Sequence, residues 1–244
     1  MSIKNKVRSL LNVFHLDLTK NLKYDRLTGK IIKEHIEAGY NCVDVGCHKG
    51  EILEMLLKHA PNGVHYAFEP LPDFFSELRQ KFGRRAHIFP FALSDKSGQT
   101  EFHFVKNDPA YSGIQERSYK SEAPDIERIK VQMKTLDEVI PDDLKIDFIK
   151  IDVEGGEFNV LKGATRILNN HQPMLIFEFG MGASDYYDVD PEEFFGFLSD
   201  MNYHIFTLES FTKEEKSLSK EEFEKVYAEN SDYYFVAVQK NYHS

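Results

Sequence analysis

The chain of 244 residues contains no tryptophan and only two cysteines, Cys42 and Cys47. That pair cannot make a disulfide framework, and no C-x-x-C pair is present to hold zinc. No apolar run is long enough to span a bilayer. Positive charge is in short supply, with 30 Lys and Arg against 40 Asp and Glu and a formal net charge of −10. Duplex nucleic acid and anionic lipid both demand a basic face, so neither is expected as a partner. What is present suffices for a globular core: 41% of residues are hydrophobic and 29% charged, which excludes disorder by composition. Without covalent staples the fold must rest on that core. The length suits one large α/β domain or two small ones.

The N-terminal twenty residues carry Lys4, Lys6 and Arg8 ahead of Leu10, Leu11, Val13, Phe14 and Leu16. The arrangement imitates a signal peptide, but Asn12 and His15 break the apolar run and no small-residue cleavage site follows. It reads as an amphipathic lead-in helix that packs on the domain or on a second subunit. A cytoplasmic protein is expected, with homo-oligomerisation open. Residues 1–40 form the lead-in, and 41–240 form a single domain with an insertion at about 97–135.

Along that domain strands and helices alternate. Strands are expected at 41–46, 64–69 and 86–93, with helices at 51–59 and 73–82 between them. Such alternation implies parallel strands joined by right-handed crossovers. It then breaks. Residues 100–105 and 129–134 read as an inserted hairpin, and the polar stretch 107–125 between them reads as a lid or binding segment. Alternation resumes with a strand at 146–153, a helix at 157–169 and a strand at 174–178. A helix follows from Asp190 as N-cap and Pro191 to about Met201. A strand at 203–208, a helix at 219–227 and a strand at 233–238 close the domain. The expected fold is a doubly wound, mostly parallel, seven-stranded Rossmann-like α/β sheet with its ligand at the carboxyl ends of the central strands.

Four sites carry chemistry. In Val43-Asp44-Val45-Gly46-Cys47-His48-Lys49-Gly50, Gly46 ends a strand and Gly50 opens a helix. Gly46 should stand where a side chain would obstruct either the turn or a ligand. The spacing is neither the G-x-G-x-x-G dinucleotide pattern nor a triphosphate loop. Asp44, inside the strand, needs a hydrogen-bonding partner or a cationic ligand; the plain alternative is a tight turn with a satisfied acid. Glu69 ends the second strand where Rossmann-type folds place a ribose-binding acid, and a carboxylate offers acceptors to both hydroxyls of the diol. The third site runs from Asp147 to Glu157, where Lys150, Asp152 and Glu154 share one strand parity. Lys150 is read as pairing with Asp152 or with a substrate anion, and Glu154 and Glu157 also suit the dipole of the next helix. Glu178, ending the strand at 174–178, should lie near Asp152. Two carboxylates there could share a proton, activate a hydroxyl or hold a hard cation; no His or Cys cluster supports a transition metal, and no metal is expected. His103, on the hairpin, reads as a solvated strand residue and only secondarily as a base.

Taken together, VDVGCHKGE, FEP at 68–70, FALSD at 91–95, FIKIDVEGGEFNVLKGA at 148–164 and PMLIFE at 173–178 resemble the FkbM-type methyltransferases. The resemblance covers residues 24–178, and K-x-D-x-E-G-x-E is its most specific part. Cys47 stands where the family more often has alanine. The resemblance implies a class I methyltransferase fold using S-adenosylmethionine, with S-adenosylhomocysteine as product. It implies that Asp44, Gly46, His48 and Gly50 surround the methionine part of that cofactor. Glu69, followed by Pro70, takes the ribose, and Ala92, Leu93 and Ser94 lie where adenine rests. Asp152 and Glu154 face the sulfonium methyl, and the catalytic group comes from Asp152, Glu154 or Glu178, in that order. O-methylation of a small hydroxyl acceptor, such as a sugar or sugar nucleotide, is implied, with Tyr111, Ser112 and Lys150 as its expected contacts. Residues 180–190 also shape that acceptor site. Two rivals are a nicotinamide-dependent oxidoreductase, which would need the missing pyrophosphate loop, and a nucleoside-binding scaffold without turnover.

Overall fold

Short strands that are buried on both faces are stable only in the middle of a sheet covered on both sides. Three segments meet that description: β1 (Cys42–Val45), β2 (His65–Phe68) and, far along the chain, the segment Phe148–Ile151, each buried at every position. In the computed structural model, which describes residues 20–116 and 124–239, they lie side by side. Continuing in chain order, β3 is His87–Phe89, β4 Phe91–Leu93, β5 Gly98–Val105, β6 Ile126–Lys134, β7 Phe148–Ile151, β8 Met174–Glu178, β9 Tyr203–Thr207 and β10 Tyr234–Gln239. The main sheet has seven strands in the order β3-β2-β1-β7-β8-β10-β9. Strands β3 to β8 of that order run parallel, and β10 is antiparallel to both neighbours.

Each face of the sheet has its own core. Val43, Val45, Ile149, Ile151, Leu175 and Phe177 face Phe158, Leu161, Phe194 and Phe223 of the helices that follow β7, β8 and β9. On the other face Phe148, Ile176, Val236 and Val238 meet Leu27, Ile31 and Ile32 of the helix Lys20–His35. That helix lies inside the expected lead-in. The amphipathic helix read over the first twenty residues falls, but for Lys20, outside the described residues. The cap at Asp190 forms as expected, accepting the Glu192 N–H at 2.8 Å with Pro191 next.

Two expected elements are divided. The strand at 86–93 is two strands, because Pro90 has no N–H to give a ladder. Before it, β3 pairs with β2; after it, β4 pairs in parallel with β6 in a second sheet of order β4-β6-β5. The insertion is therefore a three-stranded sheet tied to the main one through Pro90, not a free hairpin. The helix expected at 157–169 stops at Lys162 and restarts at Thr165. Residues 117–123 of the polar stretch lie outside the described residues.

Candidate active site

The exits of β1 and β7 nearly touch. Gly46 has φ +74°, and a Cβ built on it would lie 1.8 Å from the carbonyl oxygen of Asp152. Of the two expected reasons for this glycine, the turn and its close backbone approach are the one the geometry displays. Gly50, at φ +77°, caps the helix Glu51–His59, and a Cβ there would meet Phe82 at 2.6 Å and Leu78 at 2.7 Å. It serves the approach of two helices and does not line the cavity described below.

Between these glycines His48 sits at φ +48° and donates its backbone N–H to Glu69 Oε2 at 2.8 Å. Its ring rests on Phe74 with centroids 4.4 Å apart. Glu69 Oε1 accepts the N–H of Leu71 at 3.0 Å. The Glu69 carboxyl is buried, and burial pushes its pKa up to about 7 against the pull of those two N–H groups. A carboxylate has about four acceptor positions, so each oxygen keeps one for a ligand.

A cavity of about 880 Å³, counted with its open mouth, lies over the carboxyl ends of β1, β2 and β7. Of the expected site residues, Gly46, His48, Glu69, Pro70, Ala92, Leu93, Ser94, Ser112, Asp152 and Glu154 line it. Phe68, Leu71 and Phe91 give one end an apolar wall, and Phe102 and Ile114 close it from the small sheet and its loop. Asp44, Lys150, Tyr111 and Glu178 are not part of the lining.

Asp44 is fully buried and faces Lys150 and the Cys47 thiol, with burial raising its pKa. Lys150 is buried as well. Its Nζ lies 3.9 Å from Asp44 Oδ1, 3.2 Å from Asp152 Oδ2 and 3.3 Å from the Gly46 carbonyl, to which it donates. Of the two partners expected for Lys150, it is Asp152 that it meets. The expected parity row holds for Lys150 and Asp152 only, because β7 ends at Ile151 and Glu154 sits beyond it in left-handed backbone at φ +61°. Glu157 accepts the N–H groups of Val153 and Gly155 at 2.8 and 3.3 Å, pinning that turn from below.

Oxygens of Asp152, Glu154 and Glu178 lie within 4.8 Å of one another. A proton, a hydroxyl or a hard cation could bridge that spacing, and an acidic trio by itself specifies no metal. Asp152 also accepts from the Tyr234 hydroxyl at 2.5 Å. Although burial opposes it, Lys150 and Tyr234 hold the Asp152 carboxyl below its usual pKa. Burial and the neighbouring acids push Glu178 well above its own. The two carboxyls are thus set apart as anion and proton carrier.

His103 is buried, not solvated: its backbone pairs with Gly113, and its Nδ1 lies 3.7 Å from Glu116. Ser112 Oγ accepts the N–H of Val105 at 3.0 Å, and the Tyr187 hydroxyl accepts that of Gln115 at 3.3 Å. Tyr187 reaches the cavity from the segment 180–190. It carries no individual sequence signal; Asn159 and Phe91, in contrast, stand within FIKIDVEGGEFNVLKGA and FALSD.

A family model described as the methyltransferase FkbM domain matches residues 44–205. Among solved structures, the FkbM methyltransferase of Methylobacillus flagellatus KT aligns at a TM-score of 0.54 and 16% identity, covering 92% of this chain and 52% of that one. This chain thus spans about half the length of that protein. An rRNA methylase from Streptococcus thermophilus aligns at a TM-score of 0.46 and 10% identity, over 88% of this chain and 95% of that one. No curated protein matches the sequence significantly. The matched segment runs from Asp44 in β1 into β9, enclosing the glycine turn, Glu69 and the acidic strand ends, and the sheet has the order described above. The chain belongs to the FkbM methyltransferase family, with the class I methyltransferase fold and the use of S-adenosylmethionine that membership implies.

Proposed function

We propose that the protein transfers a methyl group from S-adenosylmethionine to a hydroxyl of a small polar acceptor, a sugar or sugar nucleotide. The observation that carries this reading is one cavity with Glu69, Asp152 and Glu154 on its wall and Glu178 behind them, an oxygen of it within 4.8 Å of those of Asp152 and Glu154. The residues fit the cofactor. Glu69 has an acceptor position left on each oxygen for the ribose diol, and the wall of Phe68, Leu71, Phe91 and Ala92 suits a flat base. When bound, the cofactor supplies an activated methyl on a sulfonium that departs as a neutral thioether, so no oxyanion hole is called for.

The chain's own work is positioning and proton transfer. Holding the acceptor oxygen in line with the methyl supplies most of the rate. Asp152, fixed by Lys150 and Tyr234, serves as a permanent negative charge that attracts the sulfonium. Glu178, held at a raised pKa, suits the acceptor's proton, and a cation nearby favours its ionised form. This reverses the order expected from sequence, in which Asp152 came first. Tyr187, which lines the cavity with Asp152 and Glu154, supports a polyhydroxylated acceptor, which pairs hydroxyls with carboxylates and its C–H faces with rings.

The test is incubation with methyl-labelled S-adenosylmethionine and a panel of nucleotide sugars and free glycosides, read by mass spectrometry. One labelled O-methyl product is expected, formed also after exhaustive chelation. Glu178→Gln should lower its rate by ~10²-fold, as for loss of a general base, with cofactor affinity nearly unchanged. Cofactor binding with no labelled product would support the scaffold reading, and label on nitrogen or carbon would end the O-methylation reading.

A further inference from the structure

Resting on that reading of Asp152, we propose that Tyr234 is a positioning residue for methyl transfer: its hydroxyl, donated to Asp152 Oδ2, fixes the orientation and the charge of that carboxylate. Tyr234 lies outside the segment matched to the family, which ends at residue 205. It opens β10 directly opposite Glu178 of β8. From there its hydroxyl passes Glu178 and reaches Asp152, beyond the end of β7, at 2.5 Å. Lys150 approaches the same Oδ2 at 3.2 Å. Two donors on one oxygen restrain the carboxylate in rotation, which leaves Oδ1 as the oxygen that can turn toward the cavity Asp152 lines.

The ring of Tyr234 is itself held. Tyr24, from the helix Lys20–His35 and also outside the matched segment, packs on it with centroids 5.2 Å apart. The Tyr24 hydroxyl donates to Asp232 Oδ1 at 2.9 Å and accepts the N–H of Tyr233 at 3.4 Å, clamping the turn into β10. The first described helix and the last described strand thus meet behind the reacting group. Tyr234 does not line the cavity, so it acts through Asp152 and not on the acceptor. Its own pKa is pushed well above the usual tyrosine value by burial and by Asp152 and Glu178, so it remains a donor across the working range of pH.

The experiment uses the full chain labelled with ¹³C at aspartate side chains, with the Asp152 signal identified by its loss in D152N. The groups that face Asp152 are Lys150 of β7, Asp44 of β1, Glu178 of β8, His48 and Glu154 of the turns, and Glu157 at the start of the next helix. All of them remain in Tyr234→Phe, which loses only the hydroxyl. The Asp152 titration should move upward by about one pH unit in Y234F and stay in place in Y24F, which keeps its ring. Replacing Tyr234 by a fluorinated tyrosine, which keeps size and hydroxyl, covers the case in which Y234F does not fold, and should also move the titration. An unmoved Asp152 titration in either variant overturns the proposal.

With the acceptor that takes label, Y234F should lower kcat about tenfold and leave the KM for S-adenosylmethionine within about twofold. The double variant Y234F/D152N should be no slower than D152N alone, since coupled groups are not additive. Additive losses would mean a merely structural role. Normal turnover in D152N would instead sink the reading of Asp152 itself, a result distinct from failure of Y234F alone.

Discussion

Glu69 holds two backbone N–H groups, from His48 and Leu71, while facing the cavity. Replacing it with alanine removes the proposed acceptor for the ribose and also releases two N–H groups. Cofactor binding should weaken by roughly 1.5–3 kcal/mol, the range for hydrogen bonds to a charged group, as measured by calorimetry. Because its pKa stands at about 7 and diol hydroxyls favour the ionised form, binding should release a proton. Affinity should therefore rise from pH 6 to pH 8 and then level off, and a flat profile would remove Glu69 from the ribose. Glu69 and Gly46 were legible in the sequence because their roles follow from position at strand ends. Tyr234 was not, since its partner lies 82 residues away and is met only across the folded sheet.

At the level of elements, period and punctuation located nearly every strand and helix of the main sheet. What they missed was where a continuous apolar run changes partners. Residues 86–93 read as one strand because hydrophobicity continues through Pro90, yet that proline hands the chain from one sheet to another. Residues 111–125 were expected to be mobile without substrate and ordered over the site with it. In their first part Gly113 pairs with His103 in both directions, at 2.8 and 3.3 Å, and Ser112 and Gln115 are tied to Val105 and Tyr187. Hydrogen exchange should find the His103, Val105 and Gly113 amides protected in the cofactor-free protein and little changed by ligand. Fast exchange at these amides, slowed by cofactor or acceptor, would restore the lid.

The molecule as a whole collects acids at one end of its sheet, and two of them contribute a defined response to pH. Glu69 and Glu157 are both buried and both shifted up to about 7, above the value near 4.3 of an unfolded chain. Their contribution to stability is complete below that unfolded value and is lost as pH rises through about 7. From these two groups the melting temperature should fall by roughly 5–10 °C between pH 6 and pH 8, as scanning calorimetry would measure. A melting temperature that rises over that interval would contradict both shifts. The sheet's strand order has a consequence of another kind. β10 lies between β8 and β9, both made before it. On the ribosome those two strands must wait with open edges until the segment 234–239 emerges, and edges of that kind invite pairing with a neighbouring chain. The same late arrival brings Tyr234 to Asp152, so the nascent protein acquires the geometry proposed for methyl transfer only in the step that seals its sheet.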